Sequence, residues 1–211
     1  MFNKFKTIIL LAVFGIYLPT SLFSAKANDF NLNPKTYLGV GGGFTDHETG
    51  ISGTTGTAEL DEEDTGFKVY AGVKLNNYLG FEAFYADLGE SSLSGNNGDT
   101  FISEGEAFQF TETAELKLDA ESYGLGTVVS LPIGNEFYPF VKLGMHQWEV
   151  EVTATSSAGN VSLEEDGTDV FYGIGFEWKL AENFGLRAEY ERFDSDGDDL
   201  DFMSAGLNIF F

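Results

Sequence analysis

The carboxyl-terminal segment constrains the fold more than any other part of this chain. Residues 201–211 read D-F-M-S-A-G-L-N-I-F-F, and apolar side chains recur at every second position. One face carries Met203, Ala205, Leu207, Ile209 and Phe211, and the other carries Phe202, Ser204, Gly206, Asn208 and Phe210. A period of two is typical of a β-strand. An open apolar strand edge is avoided in water, whereas a closed barrel satisfies every backbone group in a bilayer. The segment therefore predicts a transmembrane β-barrel.

The amino terminus has the three parts of a secretory signal peptide. Lys4 and Lys6 precede an apolar run over residues 7–18, and Ala25-Lys26-Ala27 provides an A-x-A cleavage site. The apolar run is too short to span a bilayer as a helix, although an uncleaved anchor is the alternative. We predict that residues 1–27 are a signal peptide and that residues 28–211 form one outer-membrane β-barrel domain.

Composition excludes several classes of protein. The chain has no cysteine, which removes disulfides, thiolate metal sites and a cysteine nucleophile. Its 26 Gly, 21 Phe and 9 Tyr favour strands with aromatic bands. Asp and Glu total 34 against 11 Lys and Arg, for a net charge of −23. This charge argues against nucleic acid as a partner, and no motif indicates a cofactor.

Alternation along the chain predicts eight strands in an all-β, antiparallel, up-and-down barrel. They cover residues 36–46, 66–75, 79–88, a segment ending at 123–131, a segment beginning near 137, 170–180, 184–193 and 201–211. Short connections at 76–77, 132–136 and 181–183 alternate with long ones at 46–65, 89–121, 153–168 and 194–201. Short periplasmic turns and long extracellular loops are the arrangement of the bacterial outer membrane, with both termini periplasmic.

Outward aromatic residues are predicted near both ends of the apolar band. They are Phe44, Phe67, Tyr85, Tyr123, Tyr172 and Tyr190 toward the long loops, and Phe81, Phe137, Trp178, Phe184 and Phe211 toward the short turns. Two such bands are typical of strands anchored at both membrane interfaces. A soluble, lipocalin-type barrel is the alternative, but it would turn these apolar faces inward.

Several stretches resemble a known family. Residues 76–89 (N-N-Y-L-G-F-E-A-F-Y-A-D-L-G), residues 131–144 and the run L-R-A-E-Y from Leu186 are similar to the OmpA-like eight-stranded outer-membrane barrel. The ending S-A-G-L-N-I-F-F resembles the signal read by the barrel assembly machinery, with Gly206, Ile209 and Phe211 as its residues. The resemblance implies insertion from the periplasm. It matches inward Glu82 and Glu189, but Phe210 stands where the family has a basic residue. Because the chain stops at the barrel, we expect no cell-wall-binding domain.

Charged side chains are also predicted inside the barrel. The inward basic residues are Lys68, Lys74, Lys142, Lys179 and Arg187, and the inward acidic residues are Glu82, Glu177, Glu189 and Glu191. The two sets nearly balance, as a desolvated lumen requires. An eight-stranded barrel has room inside only for side chains, so we predict a polar ion-pair network that plugs the lumen.

Most remaining acids lie in the long connections. A rim of this charge would interact with divalent cations, the lipopolysaccharide layer or a host surface. Asp194, Asp196, Asp198 and Asp199 have oxygen spacing that is a weak candidate for Ca²⁺, but the closing glutamate of a full calcium loop is missing. We therefore assign no metal site.

Above the bilayer the apolar side of two strands is predicted to turn inward. Leu116, Leu118 and Ala120 share one inward face, and Trp148, Val150 and Val152 share another. We interpret them as a hydrophobic plug at the barrel mouth, with an apolar ligand pocket as the alternative.

The sequence thus predicts an integral outer-membrane protein, not an enzyme, with a structural and surface-interaction role through acidic loops. One alternative is a narrow, porin-like channel for small or apolar solutes. Another is a lipid A-modifying enzyme, which would need His47 or His146 beside an activated serine and an orienting acid. No local spacing indicates such a triad.

Overall fold

The computed structural model describes residues 32–103 and 105–211, so the predicted signal peptide lies outside the described residues. Residues 33–211 belong to one compact unit. The described residues contain these strands: β1 Lys35–His47, β2 Ile51–Ser52, β3 Glu59–Asp61, β4 Glu63–Lys74, β5 Leu79–Gly95, β6 Thr100–Ser103, β7 Glu106–Gln109, β8 Ala114–Ser130, β9 Phe137–Ser156, β10 Gly159–Ala181, β11 Phe184–Ser195 and β12 Asp198–Phe210. No helix in the described part of the chain is long and apolar enough to cross a membrane.

The eight long strands close into an antiparallel barrel. Their order is β1-β4-β5-β8-β9-β10-β11-β12, and β12 returns to pair with β1 from Tyr37↔Phe210 to His47↔Leu200. Every long strand therefore has a partner on both sides within the barrel. The predicted eight-stranded antiparallel barrel is confirmed.

Side chains alternate between the two surfaces as the sequence pattern predicts. On β1, Leu38 and Val40 are exposed on the outer surface while Tyr37 is buried inside. Large apolar side chains cover the outer surface on the other strands as well, including Leu125, Leu143 and Ile174. The exposed face is thus the apolar one, which is the reverse of a soluble barrel and fits a surface in contact with lipid.

Two of the four predicted long loops are wrong. β9 and β10 continue to Ser156 and from Gly159, so residues 153–168 form a hairpin with a short turn. β11 and β12 meet at Asp196-Gly197, where φ is 51° and 98°, and Asp-Gly at a two-residue turn is a strong hairpin signal. The polar, acidic composition suggested loops, but alternation continues to the turns.

The other two connections contain short strands, and the loop predicted at 89–121 is shorter than expected because β5 continues to Gly95 and β8 begins at Ala114. β3 pairs with the end of β5, at Glu59↔Ser94 to Asp61↔Ser92. β2, β6 and β7 form a small separate sheet. We call the end of the barrel that carries residues 46–65, 89–121, 149–169 and 194–201 the distal end, and the end with the short turns the proximal end.

A β-bulge lies where β5 leaves the barrel. The β5–β8 register shifts between Asp87 and Glu90, and Gly89 has φ 77°. Ala86 is inside before the bulge, whereas Leu93 is inside after it. One extra residue has therefore changed which positions face inward. This change explains why alternation predicted a strand end near Leu88.

Candidate functional site: the charged lumen and the distal acidic face

The middle of the lumen holds three cations and three carboxylates, all buried. We call this set the central ion cluster: Lys68, Lys142, Arg187, Glu82, Glu189 and Glu191. Lys142 Nζ lies 2.6 Å from Glu82, 2.9 Å from Glu189 and 2.7 Å from Glu191. Formal charges cancel within the set, which offsets the cost of taking each ion out of water.

The other two cations complete the cluster. Arg187 binds Glu82 at 2.6 Å and Glu189 at 2.9 Å, and Lys68 pairs with Glu189 and Glu191. The Tyr37 hydroxyl donates to Glu82 at 2.7 Å. The partners come from β1, β4, β5, β9 and β11, so the cluster joins opposite walls of the barrel.

Inward glycines leave room for this cluster. Gly72 lies directly across from Glu82, Gly175 from Glu189, and Gly206 from Arg187. A Cβ added at Gly175 would lie 2.9 Å from the Glu189 Cβ and 2.5 Å from the backbone oxygen of Ala188. At Gly72 the added Cβ would meet the ring of Tyr37, and at Gly206 it would meet the backbone of Val40, so the inward glycines allow rings and neighbouring strands to approach closely.

A second polar layer lies nearer the proximal end. Lys74 pairs with Glu177, and Asn208 Nδ2 donates to Glu177 at 2.9 Å. The Tyr70 hydroxyl donates to the Asn208 oxygen at 2.6 Å. Sequence reasoning placed Asn208 inside but assigned it no role. An inward amide could have predicted this role, because a buried amide group needs polar partners.

Lys179, also predicted in the network, has different neighbours. Its Nζ lies 4.8 Å from the ring centre of Tyr138 and 5.0 Å from that of Phe210. These are cation–π distances. Phe210, which stands where the resembling family has a basic residue, thus provides an aromatic surface to Lys179 and Lys74.

An aromatic layer lies distal to the central ion cluster. Phe84 and Phe171 meet edge-on at 4.9 Å, and Phe171 stacks on Phe193 at 5.6 Å. Phe202 is fully buried in the same cluster. Sequence reasoning missed Phe171 and Phe193, although their odd positions on β10 and β11 share the inward parity of Gly173 and Glu191.

The predicted apolar residues of the mouth join this layer. Ala120 is buried, and Leu118 and Val150 pack against the cluster. Trp148 is buried and its Nε1 donates to Asp169 at 2.8 Å. Leu116 and Val152 lie further out and are half-buried.

The structure brings His146 beside a serine that no sequence spacing indicated. Ser122 Oγ lies 2.8 Å from His146 Nδ1, and His146 Nε2 lies 2.9 Å from the backbone oxygen of Asp194. Both side chains are buried, and the imidazole packs against Phe171 and Phe193. A hydroxyl enclosed in this way offers a substrate no approach. His47 lies apart, with Nε2 3.0 Å from the Leu88 oxygen.

Carboxylates form two rows on the outer surface of the distal sheet. Cross-strand partners run Asp87–Glu121–Glu149–Asp166 in one row and Glu90–Asp119–Glu151–Glu164 in the next. We call these eight residues the acidic face. Lys117 offsets one of them, at 2.8 Å from Glu90. Partial burial and the neighbouring carboxylates raise the pKa of Asp119. Like charges directly opposite one another on a sheet are destabilising.

The aspartates of residues 194–199 form a turn. Asp194 Oδ1 accepts the Gly197 N–H at 3.0 Å, and Asp199 binds Arg192 at 2.9 Å. Among residues 32–103 and 105–211, no group of three or more His, Asp or Glu side chains is placed to hold a metal ion. The weak Ca²⁺ candidate of Asp194, Asp196, Asp198 and Asp199 is therefore not assembled as a site.

Arg192 is a cation that sequence reasoning left unassigned. It forms two 2.6 Å bonds to Asp201, its direct cross-strand partner on β12. The sequence could have predicted this pair, because opposite charges on two adjacent antiparallel strands attract when the strands place them side by side.

The residues of the predicted assembly signal lie along the last strand. Gly206 pairs with Gly41 and Arg187, and Ile209 points outward. Phe211 is 71% exposed, and its N–H donates to Thr36 at 2.9 Å.

A closed barrel with an apolar exterior and with charges collected in the lumen and at one end is typical of a transmembrane β-barrel. Comparison with known proteins agrees. Residues 16–210 match the family described as outer membrane protein beta-barrel domain, and the chain belongs to that family. It is therefore a protein of the outer membrane of Gram-negative bacteria.

Individual relatives support the assignment. The chain is 26% identical over 161 residues to outer membrane protein A of Serratia marcescens and 25% identical over 157 residues to that of Klebsiella pneumoniae. Each match covers 72% of this chain but 40% and 41% of the relative, so the chain spans less than half of their length. The crystal structure of Ail of Yersinia pestis, in complex with the heparin analogue sucrose octasulfate, matches with a TM-score of 0.56 at 17% identity. That match covers 85% of this chain and all of Ail, and it shows a shared fold.

Proposed function

We propose that this protein is a non-enzymatic, structural and surface-interaction barrel whose acidic face binds cationic partners outside the cell. The acidic face is the observation that carries the proposal. Rows of like charge cost stability, and a partner of opposite charge would remove that cost. Candidate partners are divalent cations bridging to the phosphates of lipopolysaccharide and basic surfaces of host proteins.

The charge also indicates which partners to exclude. The similar Ail structure was determined with sucrose octasulfate, a heparin analogue. A polysulfated ligand would be repelled by the acidic face, since among the described residues only Lys117 forms a salt bridge with any of those eight carboxylates. We therefore propose a partner of the opposite charge class.

Binding to immobilised polylysine, with the barrel in nanodiscs of zwitterionic lipid, tests this role. The variant Asp119→Asn/Glu121→Gln/Glu149→Gln/Glu151→Gln should bind more weakly and with a smaller dependence on salt. Replacing the exposed carboxylate of Glu106 by Gln, away from the acidic face, is the control. Equal binding by the quadruple variant and the wild type would overturn the proposal.

Orientation can be tested because the chain has no cysteine. Ser157→Cys lies at the distal turn between β9 and β10, and Asn77→Cys lies at the proximal turn between β4 and β5. A membrane-impermeant maleimide should label the first variant on intact cells and the second only after permeabilisation. The reverse pattern would place the acidic face in the periplasm.

We further propose that the lumen is plugged. The central ion cluster is neutral and its ions pair across the barrel, and the aromatic layer adds a second obstruction. Planar-bilayer recordings of the wild type should show no steady open level. A steady open level would instead favour the narrow channel.

A further inference from the structure

One edge of β10 has no partner strand beyond the barrel. β10 pairs with β9 from Gly159 to Trp178, but with β11 only from Phe171 onward. Among the residues that the structure describes, no strand pairs with the other edge of residues 159–170. An unpaired edge of this length is a template to which another strand can add.

The neighbouring β11–β12 hairpin ends at the base of this edge. His146, whose ring is inside the barrel, contacts the backbone oxygen of Asp194 on β11 at 2.9 Å. Asp196 at the hairpin turn donates its N–H to Asp169 at 3.2 Å. These bonds hold the β11–β12 hairpin against the base of the edge. Because β11 ends at Ser195, it does not pair with residues 159–170 of β10.

One hydrogen bond shows to which side of β10 the N–H and C=O groups of each residue point. Lys179 N–H donates to the Glu136 oxygen at 2.7 Å, on the β9 side of β10. The β9–β10 register is continuous from residue 159 to residue 178, so odd-numbered residues of β10 bond toward β9. Even-numbered residues, including Ser162, Glu164 and Asp166, therefore direct their N–H and C=O groups to the free edge.

The two surfaces beside the edge differ in chemistry. Glu164 and Asp166 each end one row of the acidic face. Val161 and Leu163 lie on the opposite surface, 63% and 66% exposed, next to Val152 and Ala154 of β9. The edge thus offers backbone donors and acceptors, with Glu164 and Asp166 on one side and Val161 and Leu163, followed by Glu165, on the other.

We propose that residues 160–168 of β10 accept an extended segment of a partner protein as an added β-strand, in which Lys or Arg alternates with apolar residues. The basic side chains would lie against Glu164 and Asp166, and the apolar ones against Val161 and Leu163. This inference rests on the proposed function, because it specifies which cationic partner the acidic face binds.

Charge decides against a second copy of this chain. Two β10 edges paired with each other would bring Glu164 and Asp166 of both copies into adjacent positions, where like charges are destabilising. A basic, alternating strand replaces that repulsion with attraction. Edge carboxylates of this kind suppress self-pairing and select a different partner.

The probe is a synthetic peptide that alternates Val and Lys, compared with a peptide of the same composition whose lysines are consecutive. Fluorescence anisotropy with the barrel in zwitterionic nanodiscs measures binding. Amide hydrogen exchange by NMR then locates it. With the alternating peptide bound, the amides of Ser162, Glu164 and Asp166 should exchange at least about tenfold more slowly, whereas Leu163 and Glu165, already bonded to β9, should change little.

Ser162→Pro and Ser162→Ala form a matched pair. Proline removes an N–H that points to the free edge and is tolerated at such positions, whereas alanine keeps it. Proline should weaken binding by about tenfold relative to alanine, the effect of one lost hydrogen bond of ordinary strength. Glu164→Gln/Asp166→Asn should weaken binding by about fivefold at low salt, and the control Glu106→Gln should not.

The outcomes separate this inference from the function on which it rests. If both peptides bind equally, or if even-numbered amides gain no protection, strand addition is wrong while a cation-binding acidic face survives. If neither peptide binds the wild type, both proposals fail. Should Ser162→Pro not fold, shown by loss of heat-modifiable gel migration, the exchange pattern of the wild type alone decides.

Discussion

Single buried charges in this lumen depend on their partners. Lys142 contacts three carboxylates, and its side chain is fully buried. Removing one member of such a cluster leaves the others uncompensated, which costs far more than the pair contributes. The exposed pair of Lys117 and Glu90 is solvated and contributes little.

This contrast gives a matched prediction. Lys142→Met should lower the free energy of unfolding by about 3–5 kcal/mol. Lys117→Met should change it by less than about 1 kcal/mol, because that pair is exposed to solvent. Urea unfolding from lipid vesicles, followed by tryptophan fluorescence, measures both. Similar losses for the two variants would contradict the central role of Lys142.

A second residue-scale prediction concerns pH. Burial lowers the pKa of His47 below its ordinary value of 6.5. The unfolded chain therefore takes up a proton at a higher pH than the folded protein, so the contribution of His47 to stability is complete above pH 6.5 and is lost as pH falls below it. His47→Gln should flatten the decrease in unfolding free energy below pH 6.5. An unchanged slope in the variant would show that His47 does not titrate in this way.

The sequence predicted where the charged side chains of the lumen lie but not which partners they contact. The side on which Lys68, Glu82 and Arg187 lie followed from alternation, because the side-chain period of a strand is a local property. Which carboxylate each cation reaches did not follow. Lys179 illustrates this, since its Nζ lies over the rings of Tyr138 and Phe210. Contacts across a lumen depend on strand tilt and register, which no local pattern specifies.

At the scale of elements, the bulge in β5 decides which residues of the distal part of that strand face inward. Asp64 accepts the Glu90 N–H at 2.9 Å, and this bond lowers the pKa of Asp64. Gly89 at the bulge has φ 77°, a conformation that favours glycine. The bulge places Leu93 inside while Glu90 joins the acidic face.

Alanine at Gly89 should therefore be costly. An added Cβ would lie 2.8 Å from the Asp64 carboxylate and 3.0 Å from the Thr65 oxygen. We expect Gly89→Ala to lower the unfolding free energy by about 2–3 kcal/mol. Gly98 also has positive φ, but nothing lies within 4 Å of its added Cβ, so Gly98→Ala should cost about 1 kcal/mol. Equal losses would show that backbone strain alone matters at Gly89.

The hairpins show where sequence interpretation failed at this scale. Residues 153–168 and 194–201 are acidic and polar, and this composition suggested irregular loops. The strands continue because their inward positions turn apolar above the bilayer, as at Val150 and Leu200. The Asp196-Gly197 pair, which favours a two-residue turn, was present in the sequence. Its preference determined the local structure more than the acidic composition around it.

At the scale of the whole molecule, β12 closes the barrel. It pairs with β1 on one side and β11 on the other, so its loss would leave two open edges inside the bilayer. Unpaired backbone groups in hydrocarbon cost several kcal/mol each, which makes closure all-or-none. The last residue, Phe211, adds little to this closure because it is largely exposed.

Two variants separate closure from recognition. Deleting residues 200–211 should abolish the compact, heat-modifiable form on unboiled gels. Phe211→Ser should refold in detergent micelles with nearly wild-type migration, yet accumulate poorly in the outer membrane of cells if Phe211 is part of an assembly signal. Normal accumulation of Phe211→Ser would remove that role.

The sequence alone determined that this is an eight-stranded barrel with an apolar exterior and a charged interior. The alternation of side chains between the two faces of a strand is a local property, so it can be read without knowing which strands pair. Only the tertiary structure decided how the charges pair, that eight carboxylates align in two rows and that β10 keeps a free edge. Lys68 and Glu191 are 123 residues apart in sequence, and their contact exists only because closure and register bring distant strands to opposite walls of one narrow lumen.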